Sequence, residues 1–447
     1  MRKPRIGLFM LVLIGLCLAA VLLYYLPPVH DRLAWRVANW QGQIQRWLNP
    51  PEQVVFVPGA SQPGAIQTIA QATLSVLLPT STPAPPVQAT GTVQAVQTLP
   101  ASATPPPTFT PAPTATPIPP QTLLTGIVYQ NQQFNNCGPA NLAMALSFWG
   151  WQGDQNDTRA YLRPNREVDD KNVMPEEMVA YVEQFAGLRA LARVGGDLEM
   201  LKQLIAAGFP VLIEKGHHPA DDWWMGHYMV LNGYDEARAA FTAQDSLAQP
   251  DVSLPYEEMA SRWWRDFNYV YLIIYPAERE AQVMDILGPH SDPAYNYQYA
   301  AQKAQAEIPS LQGRDLYFAW FSLGSSLVGR QDYPGAADAY DQAFAIYPSL
   351  SEKDRPYRMM WYQVGPYLAY YYTGRYQDVI NLANTTFQWA GKQVLEETFY
   401  WRGMAYEALG ELNLAVADYK KAATLNPNYV LPRQALERLG VETPGGG

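Results

Sequence analysis

Cysteine is nearly missing from this chain. Of 447 residues two are cysteine, and Cys17 lies inside an N-terminal apolar run, so Cys137 stands alone outside it. No intrachain disulfide can therefore brace the body of the protein. Basic runs are missing beyond Arg2, Lys3 and Arg5, and 41 acidic against 31 basic residues leave a net charge of −10. That balance argues against nucleic acid as a partner and leans slightly toward basic or neutral ones. There is no GxxxxGK[ST] phosphate-binding loop, so no P-loop nucleotide chemistry is expected. Histidine is scarce, five in all, which leaves few candidates for a general base. Apolar and aromatic residues, by contrast, make up 48% and 13% of the chain, ample for two or three packed domains.

The N-terminal third reads as an attachment rather than a fold. After the basic flank an uninterrupted apolar stretch runs from Ile6 to about Leu26, long enough to cross a bilayer as one helix. The flank predicts a cytoplasmic N-terminus, with everything later on the outer side. Ala19-Ala20 is followed by Val21-Leu22-Leu23-Tyr24-Tyr25-Leu26 rather than by a cleavage site, so 1–28 is expected to be an uncleaved signal anchor. Leu16 stands where a lipoprotein signal needs a small residue before its cysteine, which disfavours acylation of Cys17. In the juxtamembrane stretch 29–61, Trp35, Val37, Trp40, Ile44, Trp47 and Leu48 fall near helical spacing. They suit either the membrane interface or the protein's own surface. From 62 to 121 the chain is Thr, Pro, Ala and Gln without charge; it cannot form a core and reads as a disordered stalk, able to hold a domain on the order of 100 Å from a membrane.

The stretch 122–277 predicts an α+β domain. Apolar periodicity places helices after Cys137, over 175–186 and over 198–207, and strand-like runs at 210–214, 227–233, 240–243 and 269–275. That order suits helices packed on a mostly antiparallel sheet. Cys137, in Asn135-Asn136-Cys137-Gly138-Pro139-Ala140, opens the first helix with Pro139 in its first turn. Amide donors and the helix dipole there favour a thiolate, so the residue suits a nucleophile.

A thiol nucleophile needs a base, a group that orients the base, and an oxyanion donor. His30 lies beside the anchor and His290 in the connecting segment 278–312, which leaves His217, His218 and His227. His227 opens the strand Gly226-His227-Tyr228-Met229-Val230-Leu231-Asn232-Gly233. A hairpin centred on Glu236 would set it opposite Asp245, with Cβ atoms about 5 Å apart, near enough to fix the imidazole tautomer. The plainer reading is that Asp245 only opens a turn. Gln130, Gln132 and Gln133 precede the cysteine, and Gln132 is the first choice of oxyanion donor without the sequence separating the three; the Cys137 N–H would be the second donor. Trp223 and Trp224 either line a substrate groove or anchor the loop beneath it. His217, His218, Asp221, Asp222 and His227 are rich in metal-ligand types but lack zinc-type spacing, and neither a metal nor a cofactor is expected.

Residues 313–440 repeat, ahead of a short tail, 441–447. Trp320, Gly324, Leu327, Ala336, Tyr340, Ala343 and Pro348 recur as Phe399, Gly403, Tyr406, Ala415, Tyr419, Ala422 and Pro427, each pair 79 residues apart. A degenerate unit between them, about 361–390, keeps Gly374, Tyr376 and Ala383 but has Tyr367 at the early glycine position. The spacings resemble the tetratricopeptide helix–turn–helix unit, and 295–308 is expected to add a capping helix.

The glutamine-bearing loop, Asn-Asn-Cys-Gly-Pro-Ala, the strand at Pro210, Gly-His-Tyr-x-Val-x-x-Gly-Tyr-Asp and the later Asp245 together resemble the C39-like branch of the papain-type cysteine peptidases. The resemblance covers about 150 residues and implies a papain-like fold with Cys137 as nucleophile, His227 as base and Asp245 as orienting group. In the bacteriocin-processing group an Asp usually stands where this chain has Asn136, and those domains are fused to exporters, so cleavage after a double glycine is not implied. The whole then reads as a bacterial-type, single-pass cell-membrane protein with its C-terminal domains extracytoplasmic. It would hydrolyse peptide bonds in a peptide or protein substrate, while the repeats recruit that substrate or a protein partner. Two alternatives stay open: an idle C39-like module on a repeat scaffold, and acyl transfer to an amine as a transpeptidase or amidase.

Overall fold

The structure, a computed structural model, describes residues 15, 16, 18, 22–25, 29, 40, 54–59, 118–164, 173–218, 224–390 and 393–444. Residues 1–58 and 119–447 form one compact unit and Gly59–Ile118 the other. Among the described residues no helix is long and apolar enough to cross a membrane. Most of the expected anchor and of the 62–121 stretch lies outside them.

A seven-stranded antiparallel sheet forms the first half of the larger unit. Its strands are β1 (Gln121–Leu123), β2 (Arg189–Arg193), β3 (Val211–His217), β4 (Met225–Asp235), β5 (Ala240–Gln244), β6 (Val252–Pro255) and β7 (Tyr271–Tyr275). They run in the order β2-β7-β3-β4-β5-β6, with β1 also paired to β4. Consecutive residues of β3, β4 and β7 are buried. Neighbouring side chains of a strand point to opposite faces, so these strands are covered on both, which is why they read as apolar runs rather than as alternation. β2, with an arginine at each end, and the short β1 and β6 carry no such run and are absent from the sequence reading.

Helix α1 (Cys137–Phe148) is buried from Gly138 through Leu146. Its Leu142, Ala145 and Leu146 join Leu212, Tyr228, Val230, Leu272 and Ile274 of the sheet in one core. Its outer side is covered by α2 (Gln155–Leu162) and α3 (Pro175–Tyr181), which explains why it is apolar all round. Asp154 and Asp157 cap the start of α2 reciprocally. Helix α4 (Leu198–Ala206) packs against β4.

After α5 (Glu280–Leu287) and α6 (Pro293–Glu307) come three helical hairpins: α7 (Gly313–Gly329) with α8 (Tyr333–Ile346), α9 (Gly365–Tyr372) with α10 (Tyr376–Ala390), and α11 (Glu396–Ala408) with α12 (Leu412–Leu425); α13 (Val430–Arg438) closes the array. In the outer hairpins a small residue faces a tyrosine: a Cβ on Gly324 would lie 2.7 Å from the Tyr340 ring, and one on Gly403 2.8 Å from that of Tyr419. The corresponding positions of the middle hairpin are Tyr367 and Ala383, both fully buried. Large and small partners are exchanged between the two helices, so the hairpin stays filled and the missing glycine is compensated.

The stalk reading needs correction at its ends. Phe56 is buried in the repeat core, 4.9 Å from the Phe344 ring and 6.0 Å from that of Tyr370, and Val54 O accepts from Trp389 Nε1 at 2.9 Å. On the far side, β1 pairs with β4, Pro119 O accepts from Tyr234 Oη at 2.7 Å and Pro120 O from the Glu236 amide. Both flanks of the Pro/Thr stretch thus pack into the same unit. The stretch between them lies almost wholly outside the described residues.

Candidate active site

The loop before α1 is built to hold Cys137 at the helix N-terminus. Asn136 is fully buried and donates Nδ2 to Gln155 Oε1 at 2.8 Å. Gln155 Oε1 also accepts the Gln133 amide, and Gln155 Nε2 donates to Asn131 O at 2.7 Å. Beneath the loop the buried Arg163 donates to Asn135 O at 2.6 Å and to Phe134 O at 3.3 Å. Asn135 takes a left-handed backbone, φ 48°, which turns the chain into the helix.

Cys137 is partly exposed. Burial pushes its thiol up, but the hydrogen bond and charge of His227, the Tyr228 N–H and the Arg163 guanidinium outweigh this and bring it below its ordinary value. His227 Nε2 lies 2.8 Å from Asp245 Oδ1. Burial alone would lower the imidazole, yet the charge and hydrogen bond of Asp245, joined by Cys137, raise it to about 9. Asp245 is in turn lowered to about 2: desolvation opposes this, while His227 and the Leu247 and Ala248 amides win. All three shifts favour a thiolate–imidazolium–carboxylate row.

Asp245 reaches His227 by a different route from the one expected. The hairpin register runs Asp235↔Ala240, Tyr234↔Phe241 and Gly233↔Thr242, then slips at a bulge to Leu231↔Ala243 and Val230↔Gln244. Continued by one residue, it sets Asp245 beside Met229 rather than opposite His227, and the carboxylate crosses the diagonal. Asp245 also closes its own turn through the Leu247 and Ala248 amides, so the plainer reading of it describes the same residue.

Of the three glutamines, Gln130 Oε1 accepts the Gln155 amide and Gln133 Nε2 donates to Asn156 Oδ1; both face α2. Gln132 Oε1 instead accepts from Ser246 Oγ at 2.9 Å, next to Asp245. Ser246 Oγ accepts in turn from Asn141 Nδ2, which also reaches Cys137 O and Tyr228 O. This amide–hydroxyl chain ties the Gln132 loop, α1 and β4 together, and its members Asn141 and Ser246 carry no motif that sequence reading could have used.

The profile of the Peptidase_C39 like family matches residues 124–272 and a tetratricopeptide repeat profile matches 396–429. Residues 124–272 are a C39-like peptidase domain. Solved structures similar to it include a C39-like peptidase from Bacillus anthracis, 19% identical over 34% of this chain and 96% of that one, TM-score 0.30. Xylellain, a cysteine protease from Xylella fastidiosa, is 14% identical over 36% and 87%, TM-score 0.29. A double glycine motif protease from an AMS/PCAT transporter, in complex with its leader peptide, is 21% identical over 35% and 99%, TM-score 0.24. No curated protein sequence matches the chain.

The C39-like domain does not offer Trp224 to a groove. That ring is fully buried, stacked on Phe267 at 5.7 Å and against Phe318 of α7 at 5.2 Å, with Nε1 donating to Asp266 Oδ2 at 2.8 Å. It is the anchor of a seam between the C39-like domain and the repeats, where Arg314 of α7 also pairs with Asp266. Trp223, Asp221 and Asp222 lie outside the described residues. His217 is 5.6 Å ring to ring from His227; burial, helped by His227 and Lys215, lowers it to about 3 and keeps it neutral. His218 Nε2 bonds Lys353 O of the repeat region at 3.1 Å.

Proposed function

We propose that the protein is a cysteine peptidase that hydrolyses peptide bonds with Cys137 as nucleophile, His227 as acid and base, and Asp245 as the group that orients His227. The observation that carries this reading is the 2.8 Å hydrogen bond between His227 and Asp245, with Cys137 at the helix start acting on the same imidazole and each group shifted toward its charged form. The Cys137 sulfur attacks the substrate carbonyl carbon and forms the C–S bond while the carbonyl pair moves onto oxygen. That oxyanion is taken up by the Cys137 N–H at the helix start and by Gln132 Nε2. The His227 imidazolium gives its proton to the leaving amine as the C–N bond breaks. Water then loses a proton to His227 and attacks the thioester; the C–S bond breaks, the acid leaves, and thiolate and imidazolium are restored.

In this reading the repeats recruit the substrate or a protein partner. The segment 6–26 anchors the chain once in a cell membrane, with the C39-like domain and the repeats extracytoplasmic. Hydrolysis of a peptide library by the full-length protein, abolished by Cys137→Ala, tests the chemistry. Digestion of intact cells and of lysed cells with an added protease tests the sidedness: the outer location requires loss of the C-terminal region in both.

A further inference from the structure

The two repeat-to-repeat spacings in the array are unequal. From Gly324 to Tyr367 the chain takes 43 residues and from Tyr367 to Gly403 it takes 36, against 34 in a tetratricopeptide period. The longer interval holds the segment 350–364, which packs into the repeat core and also touches the C39-like domain. Lys353 O meets His218 at 3.1 Å, Gln363 Nε2 donates to Asp266 O at 3.1 Å, and the turn Met359–Tyr362 brings Tyr362 onto Gly226, the residue before His227. A Cβ on Gly226 would lie 2.6 Å from Tyr362 Cε1 and 2.6 Å from Phe267 Cζ, so the strand is glycine where the tyrosine crosses it. The Tyr362 ring stands edge-on to Trp224 at 5.6 Å and to Phe267 at 5.3 Å, which fixes its position. It remains partly exposed.

The backbone of β4 defines what lies beside that ring. β5 meets β4 over Val230–Asp235, so among the described residues 225–229 carry a strand on their β3 side alone. Tyr228 O turns away from β3 to Asn141 on α1. Backbone groups alternate sides along a strand, and Gly226 therefore presents its N–H and C=O on the edge that runs past Cys137. Burial above all raises the Tyr362 phenol, the Cys137 charge adds to this, and Arg358 and a hydrogen bond with the Gly226 backbone work against it. The Tyr362 ring thus lies against that edge at Gly226, one residue before His227.

We infer that Tyr362, a residue of the repeat region, forms one wall of the substrate cleft beside Cys137 and His227 and selects the substrate side chain that lies there. The repeat array then completes the site instead of only delivering substrate to it. The inference rests on the peptidase reading for its substrate, an extended peptide laid along the Gly226 edge.

The test uses the full-length protein and two kinds of alkylating probe: iodoacetamide, which needs no cleft, and a set of peptidyl epoxides that vary in the residue next to the epoxide. The readout is the ratio of epoxide to iodoacetamide rates at Cys137 in wild type, Tyr362→Ala and Tyr362→Phe. Tyr362→Ala should change the preferred residue and shift the ratio for at least one probe by about tenfold, the scale of one lost pocket contact. Tyr362→Phe, which keeps the ring, should preserve the preference, and the iodoacetamide rate should stay within about twofold, far below the effect of losing a catalytic partner. If Tyr362→Ala loses its cooperative thermal transition, Tyr362→Leu takes its place with the same expectation. Unchanged ratios and preferences in a folded variant would overturn the inference. An iodoacetamide rate indifferent to His227→Ala would instead count against the peptidase reading, while the epoxide ratio still reports whether Tyr362 walls the approach to the thiol.

Discussion

His227 Nε2 donates a 2.8 Å hydrogen bond to Asp245 Oδ1, and the same oxygen receives the Leu247 amide at 2.9 Å and the Ala248 amide at 3.3 Å. The three donors hold the carboxylate charged and aim it at the imidazole, so orientation of His227 and closure of the 245–248 turn are one interaction. Asp245→Asn keeps the size but not the charge. Peptide turnover should fall by at least about a hundredfold, since an uncharged partner neither fixes the tautomer nor stabilises the imidazolium. Steady-state kcat/KM of the variant checks this.

The pH profile follows from the same pair. The active form is thiolate with imidazolium, so rate is lost on the acid side where Cys137 protonates and on the alkaline side where His227 loses its proton. Cys137 lies below its ordinary value and His227 at about 9, which predicts a plateau through neutral pH with its alkaline limb near 9. Asp245→Ala removes the charge that raises His227 and should move the alkaline limb down while leaving an acid limb. The residual kcat/KM against pH in the two proteins measures both.

Gln132 is the glutamine whose carbonyl oxygen is pinned by Ser246 next to Asp245. Gln132→Ala should lower kcat by about 10²–10³-fold, the loss typical of one oxyanion donor, with iodoacetamide modification of Cys137 almost unchanged because alkylation forms no oxyanion. Gln130→Ala and Gln133→Ala, whose side chains face α2, should retain turnover within about tenfold of wild type, well short of an oxyanion-donor loss.

Phe56 fills a pocket in the repeat core between Phe344 and Tyr370. Phe56→Ala should cost about 3–5 kcal/mol in the docking of the 54–58 segment if the site cannot collapse. Hydrogen exchange in that segment should accelerate, and Trp389, whose indole N–H bonds Val54 O, should change its fluorescence. Turnover of small peptides should be retained, because Phe56 is no part of the Cys137–His227–Asp245 row.

Much of this was readable from local pattern. The start of α1 follows from Pro139 in the first turn and from an apolar run that the sheet and two helices enclose. The outer repeat hairpins follow from their fixed 79-residue offset, and the degenerate unit keeps the spacing within a hairpin, Tyr367 and Ala383 standing 16 residues apart like Gly324 and Tyr340 as a reversed large–small pair. What was not readable depends on contacts remote in sequence. Asp245 was reached through a hairpin register that the bulge at Leu231/Gly233 and the left-handed Ala239, φ 48°, displace; the contact survives because a diagonal carboxylate reaches as well as an opposed one. Trp224 resembled a groove residue because its partners Phe318 and Tyr362 belong to the repeats. The docking of Phe56 was not readable either, because nothing near it in sequence announces a pocket nearly three hundred residues away.

The central claim is that Cys137 is an activated thiolate paired with His227, and the rate of iodoacetamide modification of Cys137 against pH tests it most directly. In the full-length protein the account predicts an apparent pKa well below the free-thiol value of about 8.5, rising toward that value in His227→Ala and shifting less in Asp245→Ala. An ordinary or unreactive thiol whose profile is the same with and without His227 would contradict it.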